Sequence, residues 1–192
     1  MQGEPEVAVV RLGHRPGRDE RTTTHVGLTA RALGADRVVL PANAGEAIEA
    51  AREVAARFGG PFAVEAAESP LAFVRGWDGA VVHLTLYGEP VQDVLSAVRE
   101  RHRQASTLVV VGGGKVPFEA YERADWNVSV TNQPHSEIAA LAVFLDRLFE
   151  GRELAREWED AERVVVPQSA GKLVEDAGRD GAGEAGERTG SR

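Results

Sequence analysis

Short apolar runs alternate with helix-patterned segments along most of this chain, and that alternation constrains its fold more than any other feature. Residues 7–12, 37–40, 61–65, 80–86, 107–111 and 127–131 each read as a buried strand. Between the second and third lies a helix over residues 45–58, where Ile48, Ala51, Ala55 and Phe58 recur at steps of three and four. Its Glu49 with Arg52, and Glu53 with Arg57, stand at the spacing of exposed ion pairs on a helix. Further helices are expected over residues 24–33, stopped by Gly34, and over residues 90–104. Strands that alternate with helices predict an α/β domain with a largely parallel sheet.

Residues 136–149 differ in kind. Ser136 suits an N-cap, Glu137 suits the first turn, and Gly151 supplies a stop. Every residue from 138 to 145 is apolar, so more than one side of this helix is expected to be covered, by other chain segments and by a second subunit. A charged helical stretch is expected from 151 to about 162. A hairpin over residues 163–167 and 172–174 follows, turning at Gln168, Ser169, Ala170 and Gly171. The chain thus divides into a main domain, 1–151, a helix-and-hairpin extension, 152–174, and a tail, 175–192. The tail is nearly devoid of large apolar side chains and is expected to be disordered.

Composition removes several classes of function. No apolar run approaches the roughly 20 residues of a membrane span. Residues 1–7 lack the basic start and apolar centre of a secretion signal, so a cytoplasmic protein is expected. With no cysteine in the chain, disulfides, thiolate metal sites and cysteine nucleophiles drop out together. His14, His25, His83, His102 and His135 show no short ligand spacing, so no metal site is expected; His83, inside an apolar run, reads as a core residue. Thirty acidic against 22 basic side chains give a net charge of −8, which argues against a protein that coats nucleic acid nonspecifically. A local basic patch on such a body still attracts phosphate.

One such patch is visible. Residues 11–31 hold Arg11, Arg15, Arg18, Arg21 and Arg31 against only Asp19 and Glu20, a local excess of about +3 and the footprint of an anionic partner. The alternative is a solvated loop whose arginines pair with Asp19, Glu20 and neighbouring acids. Three strands run into loops of small and polar residues: Tyr87-Gly88-Glu89-Pro90, Gly112-Gly113-Gly114-Lys115-Val116-Pro117 and Thr131-Asn132-Gln133-Pro134-His135-Ser136-Glu137. In a parallel sheet these meet at the carboxyl edge, where ligands of open α/β sheets bind. The glycine loop lacks the spacer and the Ser/Thr of a Walker loop, and no dinucleotide fingerprint follows the first strand.

Together, four strings resemble a known family. His14-Arg15-Pro16-Gly17-Arg18-Asp19-Glu20-Arg21-Thr22-Thr23-Thr24-His25, Leu84-Thr85-Leu86-Tyr87-Gly88, Lys115-Val116-Pro117 and Asn132-Gln133-Pro134-His135-Ser136-Glu137 are similar to the archaeal tRNA (cytidine(56)-2'-O)-methyltransferases of the SPOUT superfamily. The resemblance spans residues 7–172. Leu86, Gly114 and Thr131 depart from the more usual methionine, acidic residue and glycine.

The resemblance implies a SPOUT-type parallel sheet with a C-terminal trefoil knot, an exception to the rule against threading, an appended β-hairpin, and a homodimer. It implies S-adenosylmethionine as methyl donor and tRNA as substrate. The donor would be held at Leu84, Gly112, Gly113, Gly114, Lys115 and Val116, and at Val130, Thr131, Asn132, Gln133, Pro134, His135, Ser136 and Glu137. Arg21 is the first catalytic candidate, followed by Arg15 and Arg18, in the role of holding phosphate and developing alkoxide charge, because guanidinium hardly deprotonates. His14 or His25 would take the proton. A noncatalytic RNA-binding module of the same fold is the alternative; a nucleotide-binding enzyme unrelated to RNA would be favoured only if the first-loop arginines are internally paired.

Overall fold

The computed structural model describes residues 5–177. Six parallel strands form one sheet: β1 (Val7–Leu12), β2 (Arg37–Pro41), β3 (Ala63–Ala67), β4 (Ala80–Pro90), β5 (Thr107–Gly112) and β6 (Trp126–Ser129). Their order across the sheet is β3-β2-β1-β5-β4-β6. The helices are α1 (Glu20–Ala32), α2 (Gly45–Phe58), α3 (Pro70–Arg75), α4 (Val91–His102), α5 (Phe118–Arg123) and α6 (Glu137–Phe149).

Strand periodicity divides the core in two. Val7, Val9, Val109 and Val111 face one side, with residues of α1, α2, α4 and α6, whereas Ala8, Val10, Leu108 and Val110 face the other, with α3 and α5. The chain therefore leaves β1, β4 and β6 toward one face and β5, which lies between β1 and β4, toward the other. Crevices open at a carboxyl edge where neighbouring strands send their chains to opposite faces. Here that condition holds on both sides of β5.

Several expected boundaries move for identifiable reasons. Helix α1 begins at Glu20 rather than residue 24, because residues 15–19 already turn: the amides of Arg18 and Asp19 both donate to the Arg15 carbonyl, at 3.1 and 3.0 Å. As expected, Gly34 follows α1, with φ of 89°. The third strand lies two residues later than expected, after Gly59 and Gly60 at positive φ. Helices α3 and α5, of six residues each, are additions. Strand β4 continues through Tyr87-Gly88-Glu89-Pro90, its pairing with β6 interrupted by a bulge between Leu84 and Glu89.

The charged helix expected over residues 151–162 is absent. A single 3₁₀ turn (Arg152–Ala155) takes its place. Beyond it the backbone bonds to the end of α2 rather than to itself: Gly60 N–H donates to the Glu159 carbonyl at 2.7 Å, and Glu162 N–H to that of Arg57 at 3.0 Å. Trp158 packs beneath the Arg31 guanidinium, 4.1 Å from the ring centroid, and fixes this path. The hairpin forms as β7 (Arg163–Val166) and β8 (Leu173–Asp176), two residues longer than expected at its end. The expected disordered tail lies outside the described residues beyond 177.

Helix α6 is capped as its sequence demands, the Ser136 Oγ accepting from Ala139 N–H at 3.2 Å. Ala140, Leu141, Phe144, Leu145, Leu148 and Phe149 are buried, while Ala139 and Val143 stay exposed on another side.

Candidate active site

Two loops and the start of α6 converge at the carboxyl edge around a buried cation. Arg11, at the end of β1, is 1% exposed. Its Nη1 donates to the Gly13 carbonyl, its Nη2 donates to Glu137 Oε1 at 3.2 Å, and Asp19 Oδ2 lies 3.9 Å away. A Cβ on Gly113 would collide with this guanidinium, so the glycine loop after β5 lies directly against it. A charge so buried needs such partners; they join the β1 loop, the β5 loop and α6 into one unit.

Asp19 is the second brace. Arg15 grips its carboxylate side-on, Nε to Oδ2 and Nη2 to Oδ1 at 3.0 Å each, and the Arg15 amide adds a third bond at 3.0 Å. The side-chain bonds from Arg15 lower the Asp19 pKa to about 2, with its backbone bond and the charges of Arg15 and Arg11 adding to the effect.

The candidate catalytic residues thus separate. Arg15 is half exposed and paired with Asp19. Arg18 and Arg21 are exposed and make no ion pair with any described residue. His14 is buried: its Nε2 lies 3.1 Å from Glu20 Oε1 and its Nδ1 2.8 Å from Thr23 Oγ1. In the neutral ring Nε2–H donates to the carboxylate and Nδ1 accepts from the hydroxyl, so both nitrogens are engaged. His25, half-buried on α1, stands four residues after Arg21 and on the same face of the helix. The basic patch is smaller than its composition suggests, since both Arg11 and Arg31 are buried. Arg31 points away from the loop, donating to the Phe58 and Gly59 carbonyls at 2.7 Å.

A cavity of about 270 Å³ lies on the β4 side of the β5 loop. Of the residues expected to hold the donor, Leu84, Gly112, Gly114, Val116, His135 and Glu137 line it, joined by His83, Thr85, Leu86, Tyr87, Tyr121 and Ala140. The others shape its surroundings. Gly113 backs onto Arg11. Val130 packs against the core, and Thr131 Oγ1 accepts from Gln133 N–H at 3.3 Å. Asn132 Nδ2 donates to the Leu86 and Gly88 carbonyls at 2.7 and 3.2 Å, tying the β6 loop to the extension of β4. Pro134 is exposed ahead of the Ser136 cap. Lys115 lines a second cavity, of about 280 Å³, on the β1 side of the same loop.

Sequence reasoning missed the floor of the first cavity. Asn127 Nδ2 donates to the Tyr121 carbonyl at 3.0 Å, which turns its Oδ1 toward His83 Nδ1 at 2.9 Å. His83 therefore carries its proton on Nδ1, and burial holds its pKa below the ordinary value against the opposing Asn127 bond. His83 is buried as expected of a core histidine, but its Nε2 has no partner among the described residues and it lines the cavity. Its neighbours were hidden because Asn127 and Tyr121 belong to elements 44 and 38 residues downstream. Among the described residues no cluster of three or more His, Asp or Glu can hold a metal ion, and no helix is long and apolar enough to cross a membrane.

A family model described as "tRNA ribose 2'-O-methyltransferase, aTrm56" matches residues 58–175. The chain is 64% identical over 176 residues to the tRNA (cytidine(56)-2'-O)-methyltransferase of Haloarcula marismortui, covering 92% of this chain and 98% of that one. It is 47% identical over 177 residues to the enzyme of the same name from Pyrococcus abyssi, covering 91% and 89%. Among solved structures, the SpoU methyltransferase AviRb from Streptomyces viridochromogenes, crystallised with AdoMet, superposes with a TM-score of 0.55 at 14% identity, covering 78% of this chain and 61% of that one. An RNA 2'-O ribose methyltransferase superposes with a TM-score of 0.54 at 17% identity, covering 78% and 57%. The chain thus spans about three fifths of the length of these two structures, which share its fold.

Proposed function

The chain belongs to the tRNA ribose 2'-O-methyltransferase family, and from that premise we propose that it methylates the ribose 2'-hydroxyl of cytidine 56 of tRNA with S-adenosylmethionine as donor. One observation of the structure carries the reading: the arginine loop after β1 meets the glycine loop after β5 at the mouth of the β4–β6 cavity. The Arg15 guanidinium lies 3.9 Å from where a Cβ on Gly114 would stand. An arginine-bearing loop thus borders a small-molecule cavity, which supports group transfer onto a polynucleotide.

The cavity's lining supports a donor-binding role. Leu84, Leu86 and Val116 give apolar wall, Glu137 offers a carboxylate to a cation, and His135 Nε2 is buried with no partner among the described residues. When bound, the donor supplies an electrophilic methyl group on a sulfonium. The loops around it do the rest. Arg11 holds Glu137 and the glycine loop in fixed relation, which reduces the entropy cost of aligning the reacting groups. Arg15, locked by Asp19, braces the loop that carries Arg18 and Arg21.

Arg21 serves as the cation beside the attacking oxygen, offsetting charge as the hydroxyl loses its proton. His25 is the acceptor of that proton, since its ring makes no hydrogen bond with a described residue whereas both His14 nitrogens are occupied. His14 instead stiffens the first turn of α1 through Glu20 and Thr23.

Two further features of the family belong to this reading. The exposed Ala139 and Val143 of α6 form an apolar strip suited to a second copy, which supports a homodimer. The two bonds from Asn132 tie the chain after β6 to the β4 extension, a contact that a threaded C-terminal knot would need. A cytoplasmic enzyme accords with a tRNA substrate.

The test separates chemistry from binding. Arg21→Ala is expected to leave donor affinity within about twofold and to lower methyl transfer by about 10²-fold or more. Parallel loss of donor affinity, measured by calorimetry, would make Arg21 a structural residue and remove it from the mechanism.

A further inference from the structure

We propose that the second cavity, between the ends of β1 and β5 and the segment that follows β3, receives the base of the methylated nucleotide, and that Glu68 selects cytosine over uracil there. The inference rests on the reading of the chain as a cytidine-directed methyltransferase. The cavity measures about 280 Å³ and has apolar walls from Leu12, Leu71 and Pro117, against which the faces of a pyrimidine pack. Glu68 and Lys115 are the two charged side chains that line it. Both are exposed, and neither makes a hydrogen bond or ion pair with another described residue.

An acceptor and a donor in one apolar pocket match cytosine in particular. Its exocyclic N4 amino group donates, and a carboxylate is the side chain suited to accept from it. The adjacent N3 and O2 accept, which suits the Lys115 ammonium. Uracil presents O4 in place of the amino group and N3–H in place of the acceptor. The Glu68 contact then fails, with oxygen facing oxygen, and the Lys115 ammonium loses N3 and keeps only O2, which the two bases share.

The position also fits the transfer. The two cavities share one wall: Gly112, Gly114 and Val116 face the donor side, Lys115 and Pro117 the other. Gly13 brings the arginine loop to the rim of the second cavity. A nucleotide whose base occupies this cavity has its ribose at the shared wall, beside Arg15 and within reach of the donor. The two crevices beside β5 thereby serve the two substrates, one each.

The test compares initial rates on two tRNA transcripts, one with cytidine and one with uridine at position 56, for the wild-type protein, Glu68→Gln and Glu68→Ala. Donor affinity of each protein is measured alongside. The wild type is expected to favour cytidine. Glu68→Gln, whose amide can donate to O4 and accept from N3–H, is expected to reduce the cytidine-to-uridine ratio of kcat/KM by about tenfold or more with donor affinity unchanged. Glu68→Ala is expected to reduce the ratio as well, by lowering the cytidine rate and relieving the repulsion of uracil O4. An unchanged ratio in both variants, an equal loss on both transcripts, or a wild type indifferent to the base would each overturn the proposal. A wild type that binds the donor and methylates neither transcript would overturn the methyltransferase reading itself.

Discussion

Glu153, in the 3₁₀ turn after α6, shows how far a single side chain can escape a reading of the sequence. It is 2% exposed and both its carboxyl oxygens are buried without a hydrogen-bond partner among the described residues. Burial pushes its pKa above the ordinary value, and the charge of Asp146 adds to the rise. An acid whose pKa is raised by folding contributes stability below its unfolded pKa and loses that contribution as pH rises through the folded value. Glu153→Gln, which removes the charge and can donate to Asp146, is therefore expected to raise Tm, and to do so more at pH 8 than at pH 5. A gain of 1 kcal/mol corresponds to about 2–4 °C in a chain of this size. A Tm difference that shrinks with rising pH would show that the carboxylate has a partner in solution. The sequence displays Glu153 as one charge in a charged segment, and nothing local marks it as buried. Arg11 is the same lesson with the opposite sign: the residue type is legible, but its partner Glu137 lies 126 positions away.

At the scale of elements, the sequence was most legible where periodicity had room to act. Helix α2 has the expected bounds, and its Arg52–Glu49 and Arg57–Glu53 pairs form as spaced. The six-residue helices α3 and α5 carry too few turns to show a period, although Ser69 and Pro70 spell a cap and a first-turn proline in front of α3. The β4 extension was hidden for another reason. Its pairing with β6 through Glu89 and Pro90 depends on a bulge and on Gly88, where a Cβ would stand 2.5 Å from the Asn127 backbone. Gly88→Ala is accordingly expected to push β4 from β6, free the Asn132 anchor and weaken donor binding by about tenfold or more, together with a lower Tm. Donor affinity and melting temperature unchanged from wild type would mean that the extension is free to shift and does not shape the cavity.

At the scale of the whole molecule, the alternation of strands and helices announced the α/β class, but not the order of the strands or the side to which each connection leaves. Those come from long-range pairing, and they are what place β5 between two crevices. The motifs that carry the family resemblance lie in the loops at this edge; the residues that hold those loops together, Arg11, Asp19 and Asn132, act through contacts that spacing does not encode. The net charge of −8 likewise hides a local concentration of cations, because the exposed Arg15, Arg18 and Arg21 follow one another on the β1 loop and the first turn of α1, with the Arg15 guanidinium beside Gly114 at the cavity. The central claim is that this site transfers methyl to one ribose oxygen. It is tested most directly with the purified protein, labelled S-adenosylmethionine and two tRNA transcripts that differ only in a 2'-deoxycytidine at position 56. The account predicts label in the cytidine transcript and none in its deoxy counterpart. Equal labelling of both would contradict it, because the methyl group would then be going to another atom.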